Sequence, residues 1–287
     1  MNQNFSLYDT VNISDTTKRS VNFLYKTVPG RILLRLLIKT SVSKSAGLIL
    51  SSPVSSLFIK GFIKRNSINM EEYKKEKYKS FDDFFIRESA EGFRAFPSNF
   101  NDLAAPCDGK LTAYYITEDS VFDIKNSKYS IGELLQDNKL ADEYSNGVCV
   151  IFRLTPDDYH RYAYIDDGEV LHREYIKGKL HTVQPVAHKY GVFCRNSREY
   201  TVIRTENFGK VVQIEVGALF VGRIVNRDCQ TVKRGDEKGM FQFGGSTIIL
   251  LFQSGVVKID ETIFKNTLDN KETIVKMGDV IGEKTGV

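Results

Sequence analysis

From about residue 100 onward, apolar and polar positions alternate with turn residues in the way typical of β-strands. Short runs rich in β-branched and aromatic residues occupy 148–154, 199–205, 211–225 and 246–252. Residues 206–209 (ENFG) separate the second run from the third and have the composition of a hairpin turn. These runs predict a body that is mainly antiparallel β-sheet.

The front of the chain follows a helical pattern instead. Within residues 21–40, Arg31, Arg35 and Lys39 recur every four positions, and leucine and isoleucine fill the positions between them. Apolar side chains would therefore line one face of a helix and basic side chains the other. The pattern predicts a short basic amphipathic helix over this segment.

Three shorter segments complete the predicted fold. Residues 71–91 are predicted to be helical, with Ser80 as the N-cap ahead of FDDFF. Asp108 and Gly109 form a turn pair that begins a strand, and 177–187 are predicted to form a strand, a turn and a second strand. The resulting fold class is α+β, a mainly antiparallel β body preceded by a group of N-terminal amphipathic helices.

Composition excludes several classes of protein and divides the chain in two. With 41% hydrophobic and 26% charged residues, the chain is neither disordered nor a collagen or coiled coil. No acidic residue lies between Asp15 and Glu71, whereas ten lysines and arginines do. We therefore expect residues 1–70 to form basic amphipathic attachment helices and 71–287 to form the functional domain.

An anionic membrane surface is the partner that best suits this basic front end. A second apolar and basic stretch, LFIKGFIKR at 57–65, reinforces the amphipathic pattern. Nucleic acid is the competing polyanion, but no recognition motif supports it. The longest uncharged stretch, 45–59, contains Pro53 and is too short to span a bilayer. Peripheral attachment is therefore expected, without a transmembrane helix.

The four cysteines are scattered, and the N-terminus is polar. Their spacing matches neither a disulfide framework nor a zinc site, which favours a reducing compartment and no bound metal. The start MNQNFSLYDT does not have the basic tip and apolar run of a secretory signal.

Individual motifs leave the chemistry open. Gly244-Gly245-Ser246 resembles a hydrolase nucleophile, but Ile248 stands where the nucleophile elbow needs glycine, and a tight turn explains the glycines equally well. Among the four histidines, His160 alone has an arginine and two carboxylates beside it. No single motif identifies a function.

Taken together and in order, the motifs resemble the phosphatidylserine decarboxylase family. The resemblance covers roughly residues 55–287, and GGST at 244–247 corresponds to the family's Gly-Ser-Thr processing signature. The other matching segments are FFIRE at 84–88, PCDGK at 106–110, DYHR at 158–161, GKLHTVQP at 178–185, VGALFVGRI at 216–224, KGMFQFGGST at 238–247 and the ETIVKMGDVIGE tail.

The resemblance implies a proenzyme that cuts itself between Gly245 and Ser246, giving a large chain (1–245) and a small chain (246–287). Ser246 becomes a covalent pyruvoyl group, which forms a Schiff base with phosphatidylserine and draws off the electrons released with CO₂, so that phosphatidylethanolamine forms without an external cofactor. Asp108, His160 and Ser246 are the residues implied for self-cleavage, and His160 also for reprotonating the substrate.

One position departs from the family pattern. A second histidine often follows the first by three residues, and here that position is Ala163. His160 then performs both tasks, another group substitutes, or processing is slow or absent. His181, in the GKLHTVQP stretch that the family places near the active site, is the hypothesis for a substitute.

The resemblance also implies the partners and location of the chain. We expect phosphatidylserine and the anionic membrane as partners, no nucleic acid, and a peripheral location on the cytoplasmic face of the cell membrane. The sequence leaves the oligomeric state open, with a homodimer as one option. The alternative functions are an unprocessed relative that only binds anionic lipid and a pyruvoyl decarboxylase of a soluble amino acid; the amphipathic front end argues against the latter.

Overall fold

The computed structural model describes residues 8–13, 19–38, 47–74, 77–124, 127–219, 223–242 and 246–286. The helices are α1 Arg19–Lys26, α2 Val28–Leu37, α3 Ile59–Asn66, α4 Phe81–Phe85, α5 Ile131–Leu135, α6 Asn138–Asp142, α7 Val192–Arg195 and α8 Glu261–Leu268. Short 3₁₀ segments span Pro53–Phe58, Met70–Glu72 and Pro185–Tyr190.

The strands belong to a β-rich body that begins near residue 100, apart from one strand close to the N-terminus. They are β1 Thr10–Asn12, β2 Asp102–Ala104, β3 Gly109–Tyr115, β4 Val121–Ile124, β5 Ser127–Ser130, β6 Val148–Leu154, β7 Arg161–Ala163, β8 Gly168–Ile176, β9 Arg198–Thr205, β10 Lys210–Val216, β11 Arg223–Asn226, β12 Thr231–Val232, β13 Glu237–Gln242, β14 Ser246–Phe252, β15 Val257–Ile259, β16 Lys271–Val275 and β17 Val280–Lys284.

One large sheet dominates the body. Within the described ranges it contains nine strands in the order β1-β16-β3-β6-β14-β10-β9-β8-β12, with antiparallel neighbours throughout. The three strands β11-β13-β7 form a smaller antiparallel sheet, which packs on one face of the large one through Tyr162 and Phe241. The predicted α+β class with a mainly antiparallel body is confirmed.

The central strands form because their side chains are apolar on both faces. All seven residues of β6 and all seven of β14 are buried, as expected for strands covered on both sides. The predicted strands at 148–154 and 246–252 are confirmed, and the one at 199–205 begins one residue earlier, at Arg198. The predicted hairpin is also present, with Gly209 at φ +67°, a conformation that favours glycine.

The predicted strand over 211–225 is wrong in its extent. β10 ends at Val216, and β11 begins at Arg223 in the smaller sheet. At Gly217 the chain leaves the large sheet: the Gly217 N–H still donates to Ser197 O, but the Gly217 carbonyl accepts from the Asn196 side chain. The alternation of apolar residues continues across this break, so the sequence pattern could not reveal it.

The helix predicted over 21–40 is two helices in the described part of that range. Pro29 lies in the first turn of α2, where its missing N–H costs nothing, but it could not lie inside a continuous helix. Thr27 forms the junction: its hydroxyl donates to Phe23 O and accepts from Gly30 N. Residues 39–40 lie outside the described residues.

Two other predicted elements are wrong. Within 71–91, only α4 is α-helical among the described residues, and the segments before and after it meet in an isolated bridge between Tyr73 and Ser89. α4 itself is capped by Ser80, as predicted. Residues 177–187 form no strand pair beyond a single bridge at Lys179. Instead, the side chain of Asn196 satisfies the backbone groups there, and a 3₁₀ turn begins at Pro185.

The N-terminal helices pack onto the body. Tyr25, Leu34 and Ile38 belong to the main hydrophobic core, and Ile59 packs with the phenylalanines of α4 in a second cluster. Within the described residues, no helix is long and apolar enough to cross a membrane.

Candidate active site

Asp108 and Ser246 lie at the same end of the large sheet. Ser246 begins β14 and pairs with Leu154, the last residue of β6. On the other side of β6, Lys110 pairs with Arg153, so that Asp108, directly before β3, also lies beside the end of β6. Because neighbouring strands are about 4.8 Å apart, the backbones at the two positions lie roughly 10 Å from each other.

His160 approaches this end from the smaller sheet. It directly precedes β7, and its carbonyl accepts a hydrogen bond from Phe241 N in β13, 2.9 Å away. β13 leads through residues 243–245, which lie outside the described residues, to Ser246. The fold thus brings Asp108, His160 and Ser246 to one end of the β6–β14 pair, whereas Gly244 and Gly245 are not described.

The His160 ring is completely buried and neutral. Its centroid lies 4.0 Å from that of Phe85. Nδ1 is 2.9 Å from Asp158 O; because a carbonyl can only accept, Nδ1 carries the proton and Nε2 keeps its lone pair. Burial, with the positive charge of Arg87, lowers the pKa of His160 to about 3. Nε2 is buried and has no hydrogen-bond partner among the described residues.

Ser246 is also completely buried, and its hydroxyl has no hydrogen-bond partner in the described part of the chain. The same holds for the hydroxyl of Thr247. A buried polar group without a partner costs about 1–3 kcal/mol, so such groups are uncommon and often mark reactive sites. Ser246 therefore has an uncommitted hydroxyl at the position where the sequence predicts a nucleophile.

Asp108 is held by an arginine. Arg94 donates from Nε to Oδ1 at 2.9 Å and from Nη2 to Oδ2 at 2.7 Å, and the backbone N–H of Met277 donates to Oδ1 at 2.9 Å. Burial raises the pKa of Asp108, and these donors partly offset that rise. The described hydrogen bonds of Asp108 and His160 do not join the two residues to each other.

Sequence reasoning missed two arginines that support the site. Arg94 is one, and it lies outside every matching motif. Arg87, within FFIRE, is buried against the rings of Tyr73 and Phe84. Its Nη2 donates to the carbonyl of Asp158, at 3.3 Å, and thus to the same oxygen that orients His160. The motif included Arg87, but only the fold shows this contact.

His181 lies on the other side of β14, near the end of β10. Its Nδ1 is 3.1 Å from the hydroxyl of Tyr25 in α1. Asn196 donates to the carbonyls of both His181 and Gly217, the residue that follows β10. Burial, together with nearby Lys179, lowers the pKa of the partly buried His181. His181 thus lies at the same end of the sheet without a described contact to Ser246.

Ala163 occupies the last position of β7. Its backbone N–H donates to Pro106 O at 2.9 Å, which ties β7 to the segment before Asp108. Its side chain is 1% exposed, and a methyl group can neither accept nor donate a proton. Any proton transfer that a second histidine would perform here must therefore fall to another group.

Comparison with known proteins identifies the family of this chain. The family profile described as phosphatidylserine decarboxylase matches residues 81–283. Phosphatidylserine decarboxylase proenzyme 2 of Clostridium acetobutylicum is 51% identical over 265 residues, covering 92% of this chain and 91% of the relative. The phosphatidylserine decarboxylase proenzyme of Ruminiclostridium cellulolyticum is 43% identical, with the same coverage. A third relative of that name, from Fusobacterium nucleatum, is 40% identical over 273 residues. The chain belongs to the phosphatidylserine decarboxylase family.

Proposed function

We propose that this protein decarboxylates phosphatidylserine to phosphatidylethanolamine and CO₂, using a pyruvoyl group that it makes from Ser246 by cutting its own chain after Gly245. One observation carries the proposal: two uncommitted buried groups, the hydroxyl of Ser246 and the Nε2 of His160, both lie at one end of the β6–β14 pair. The names of the relatives, all proenzymes of this activity, support it.

Self-cleavage follows from these two groups. The neutral Nε2 of His160 accepts the proton of Ser246, whose oxygen attacks the Gly245 carbonyl. His160 then gives this proton to the Ser246 nitrogen as the C–N bond breaks and an ester forms. Loss of the Ser246 Cα proton then breaks the ester C–O bond and releases Gly245 as a carboxylate. Water displaces ammonia from the new N-terminus, which leaves the pyruvoyl group.

Asp108, held by Arg94, places a negative charge near the site of self-cleavage. Since Asp158 O already orients His160 Nδ1, we propose that Asp108 acts as a fixed negative charge at the end of the sheet, held in place by Arg94. This negative charge then stabilises the positive charge that develops on His160 as it accepts the proton of Ser246. In this proposal, Asp108→Ala leaves the chain uncut.

The site suits a pyruvoyl group, because the atoms that would form it are already enclosed. Ser246 is 0% exposed and begins a strand that is buried along its whole length, so the group forms away from bulk water. When present, it supplies a conjugated carbonyl that accepts the electron pair released as CO₂ leaves. His181, near the same end of the sheet, is the proposed substitute for the missing second histidine.

We propose that the N-terminal helices attach the protein to the cytoplasmic face of the membrane. Apolar side chains of this region project into solvent, with Leu57 79% and Val28 63% exposed. They are interspersed with basic residues, which would meet anionic lipid headgroups. Tyr25 links α1 to His181, so that this surface and the active site belong to neighbouring parts of the fold.

The experiment is the intact mass of the purified protein, followed by an assay of CO₂ release from phosphatidylserine vesicles. We expect a small chain that starts at residue 246 and is lighter by one ammonia. Ser246→Ala removes both the cut and the activity, whereas Ser254→Ala, which changes an exposed serine of the same small chain, leaves both intact. An uncut wild-type chain that binds anionic vesicles without releasing CO₂ would instead indicate the lipid-binding alternative.

A further inference from the structure

A buried ion pair lies beside the active site and has no part in the steps above. Lys238 of β13 and Glu215 of β10 are each 0% exposed, and Lys238 Nζ lies 2.7 Å from Glu215 Oε2. The pair joins the smaller sheet to the large one. Burying two charges is expensive, and apolar residues of similar size in their place are often neutral or stabilising. The pair therefore suggests a role beyond stability.

A set of polar groups holds one oxygen of Glu215 and leaves the other uncommitted. Asn226 donates to Glu215 Oε2 at 3.0 Å and to Glu199 Oε1 at 2.9 Å, and it accepts from the Tyr162 hydroxyl at 2.9 Å. Oε2 thus has two donors, Lys238 and Asn226. Oε1 is buried and has no hydrogen-bond partner among the described residues.

Strand register places Glu215 on the same face as Ser246. Glu215 pairs with Ile248, which is two residues along β14 from Ser246. Residues two apart on a strand point to the same face, and such diagonal neighbours on adjacent strands are separated by about 7–8 Å. A glutamate side chain can span much of this separation. The register therefore places Glu215 on the face of Ser246, with the two positions about 7–8 Å apart and Oε1 without a hydrogen-bond partner among the described residues.

After CO₂ leaves, the substrate carbon needs a proton, and His160 is badly placed to donate it. Its Nδ1 proton is already donated to Asp158 O, and its Nε2 carries no proton in the neutral ring. Ala163 removes the second imidazole. Burial raises the pKa of Glu215 and lowers that of Lys238, so a proton can pass between the two over their hydrogen bond.

We propose that Glu215, with Lys238 as its proton partner, delivers the proton to the substrate carbon after CO₂ has left, while His160 serves self-cleavage. This assigns to Glu215 the proton that the family resemblance assigns to His160, and it leaves the substitute role of His181 to self-cleavage. When CO₂ leaves, the bond between that carbon and the carboxylate breaks, and the pyruvoyl group, once formed, would supply the conjugated carbonyl that takes up the electron pair. Lys238 passes its proton to Glu215 Oε2 over their hydrogen bond. The carboxyl group then rotates about its Cγ–Cδ bond, so that the protonated oxygen gives the proton to the substrate carbon, and a proton from solvent returns to Lys238 after the product leaves. This inference rests on the proposed decarboxylase function.

Three variants test it: Glu215→Gln, Lys238→Met, and the double variant Glu215→Leu with Lys238→Met, which removes both charges together and so avoids leaving one unpaired. Glu272→Gln is the matched control. Glu272 also forms a buried ion pair in the large sheet, with Arg153, but Arg153 pairs with Thr247 and thus lies on the face opposite to Ser246.

Each purified variant is first examined by intact mass and then assayed with phosphatidylserine vesicles. We expect all of them to be cut like the wild type. In Glu215→Gln, Lys238→Met and the double variant, kcat falls by about 100-fold or more with KM little changed, as for loss of a general acid. Glu272→Gln keeps its kcat.

Two results would overturn the inference. One is a kcat near that of the wild type in Glu215→Gln or in the double variant. The other is failure of self-cleavage in the folded double variant, which would assign the pair to maturation instead. Failure of the proposed function is distinguishable from both, because the wild-type chain itself would then be uncut or inactive.

Discussion

Replacing Arg94 with methionine removes the main partner of Asp108 at the end of the sheet. The arginine side chain is 2% exposed and supplies two of the three described hydrogen bonds to this carboxylate. Methionine fills a similar volume but donates nothing. Asp108 would keep only the Met277 N–H, in surroundings that already raise its pKa. We therefore expect Asp108 to become protonated and self-cleavage to slow.

The loss of stability expected for Arg94→Met follows from the burial of the Arg94–Asp108 ion pair. Removing one partner of a buried, hydrogen-bonded ion pair costs about 3–5 kcal/mol. At roughly 2 °C per kcal/mol for a chain of this size, the melting temperature falls by about 6–10 °C. Arg94 also donates to Glu72 and to the hydroxyl of Tyr73, which lose a partner as well, so the cost belongs at the upper end of this range.

The assay separates stability from maturation. Melting temperatures are measured in the Ser246→Ala background, where every chain is uncut and the samples are homogeneous. Cleavage is followed over time by intact mass in the chain that retains Ser246. Arg204→Met is the control: it breaks an exposed ion pair with Glu169, and such pairs contribute about 0–1 kcal/mol. If Arg94→Met matched this control in both melting temperature and cleavage rate, the assigned role of Arg94 would be refuted.

Three further changes have defined outcomes. His160 has its pKa lowered from 6.5 to about 3 in the folded chain, so the unfolded chain binds the proton first, and the free energy of unfolding falls by up to about 1.4 kcal/mol per pH unit as the pH drops from 6.5 toward 3. In the Ser246→Ala chain, His160→Gln should therefore flatten the dependence of the melting temperature on pH between pH 7 and 4. An unchanged slope would contradict the buried neutral ring. His181→Phe should slow cleavage or decarboxylation, and normal rates of both would exclude His181 as a substitute base. Leu57→Ser should weaken binding to anionic vesicles by about 10- to 100-fold in a sedimentation assay, because burial of a leucine side chain is worth roughly 1.5–3 kcal/mol. Leu268→Ser, at an exposed leucine of α8, is its control, and equal binding of the two variants would argue against attachment through the N-terminal helices.

The sequence predicts the structure correctly where interactions between neighbouring residues determine it. The strands at 148–154 and 246–252 were predictable because β-branched and apolar runs suit a sheet covered on both faces. The Ser80 cap and the turn at Gly209 depend on neighbouring residues alone. The helix predicted over 71–91 is wrong because the charged residues there suit an exposed helix, while the contact that decides the structure joins Tyr73 to Ser89.

The candidate site was predictable only in part. Short motifs predicted Ser246, Asp108 and His160 as site residues, and the fold places them at one end of the large sheet. The contacts that control their charge were not found, because Arg94 reaches Asp108 only after both have been positioned by the fold. Likewise, Glu215 is one charged residue in an apolar run, and its ion partner is 23 residues away in another sheet. Sequence periodicity carries no information about such pairs.

In the proposed self-cleavage at Ser246, the position of β14 sets the order of folding and cutting. This strand is hydrogen-bonded on both sides, to β6 and to β10, and it begins at Ser246. An unassembled sheet would leave the serine hydroxyl in water, far from His160, so the cut can only follow assembly. Because the small chain also supplies β15, β16 and β17, it stays in place after the cut through pairing with strands of the large chain. In this proposal, therefore, only copies of the chain that have already folded are cut and so become active.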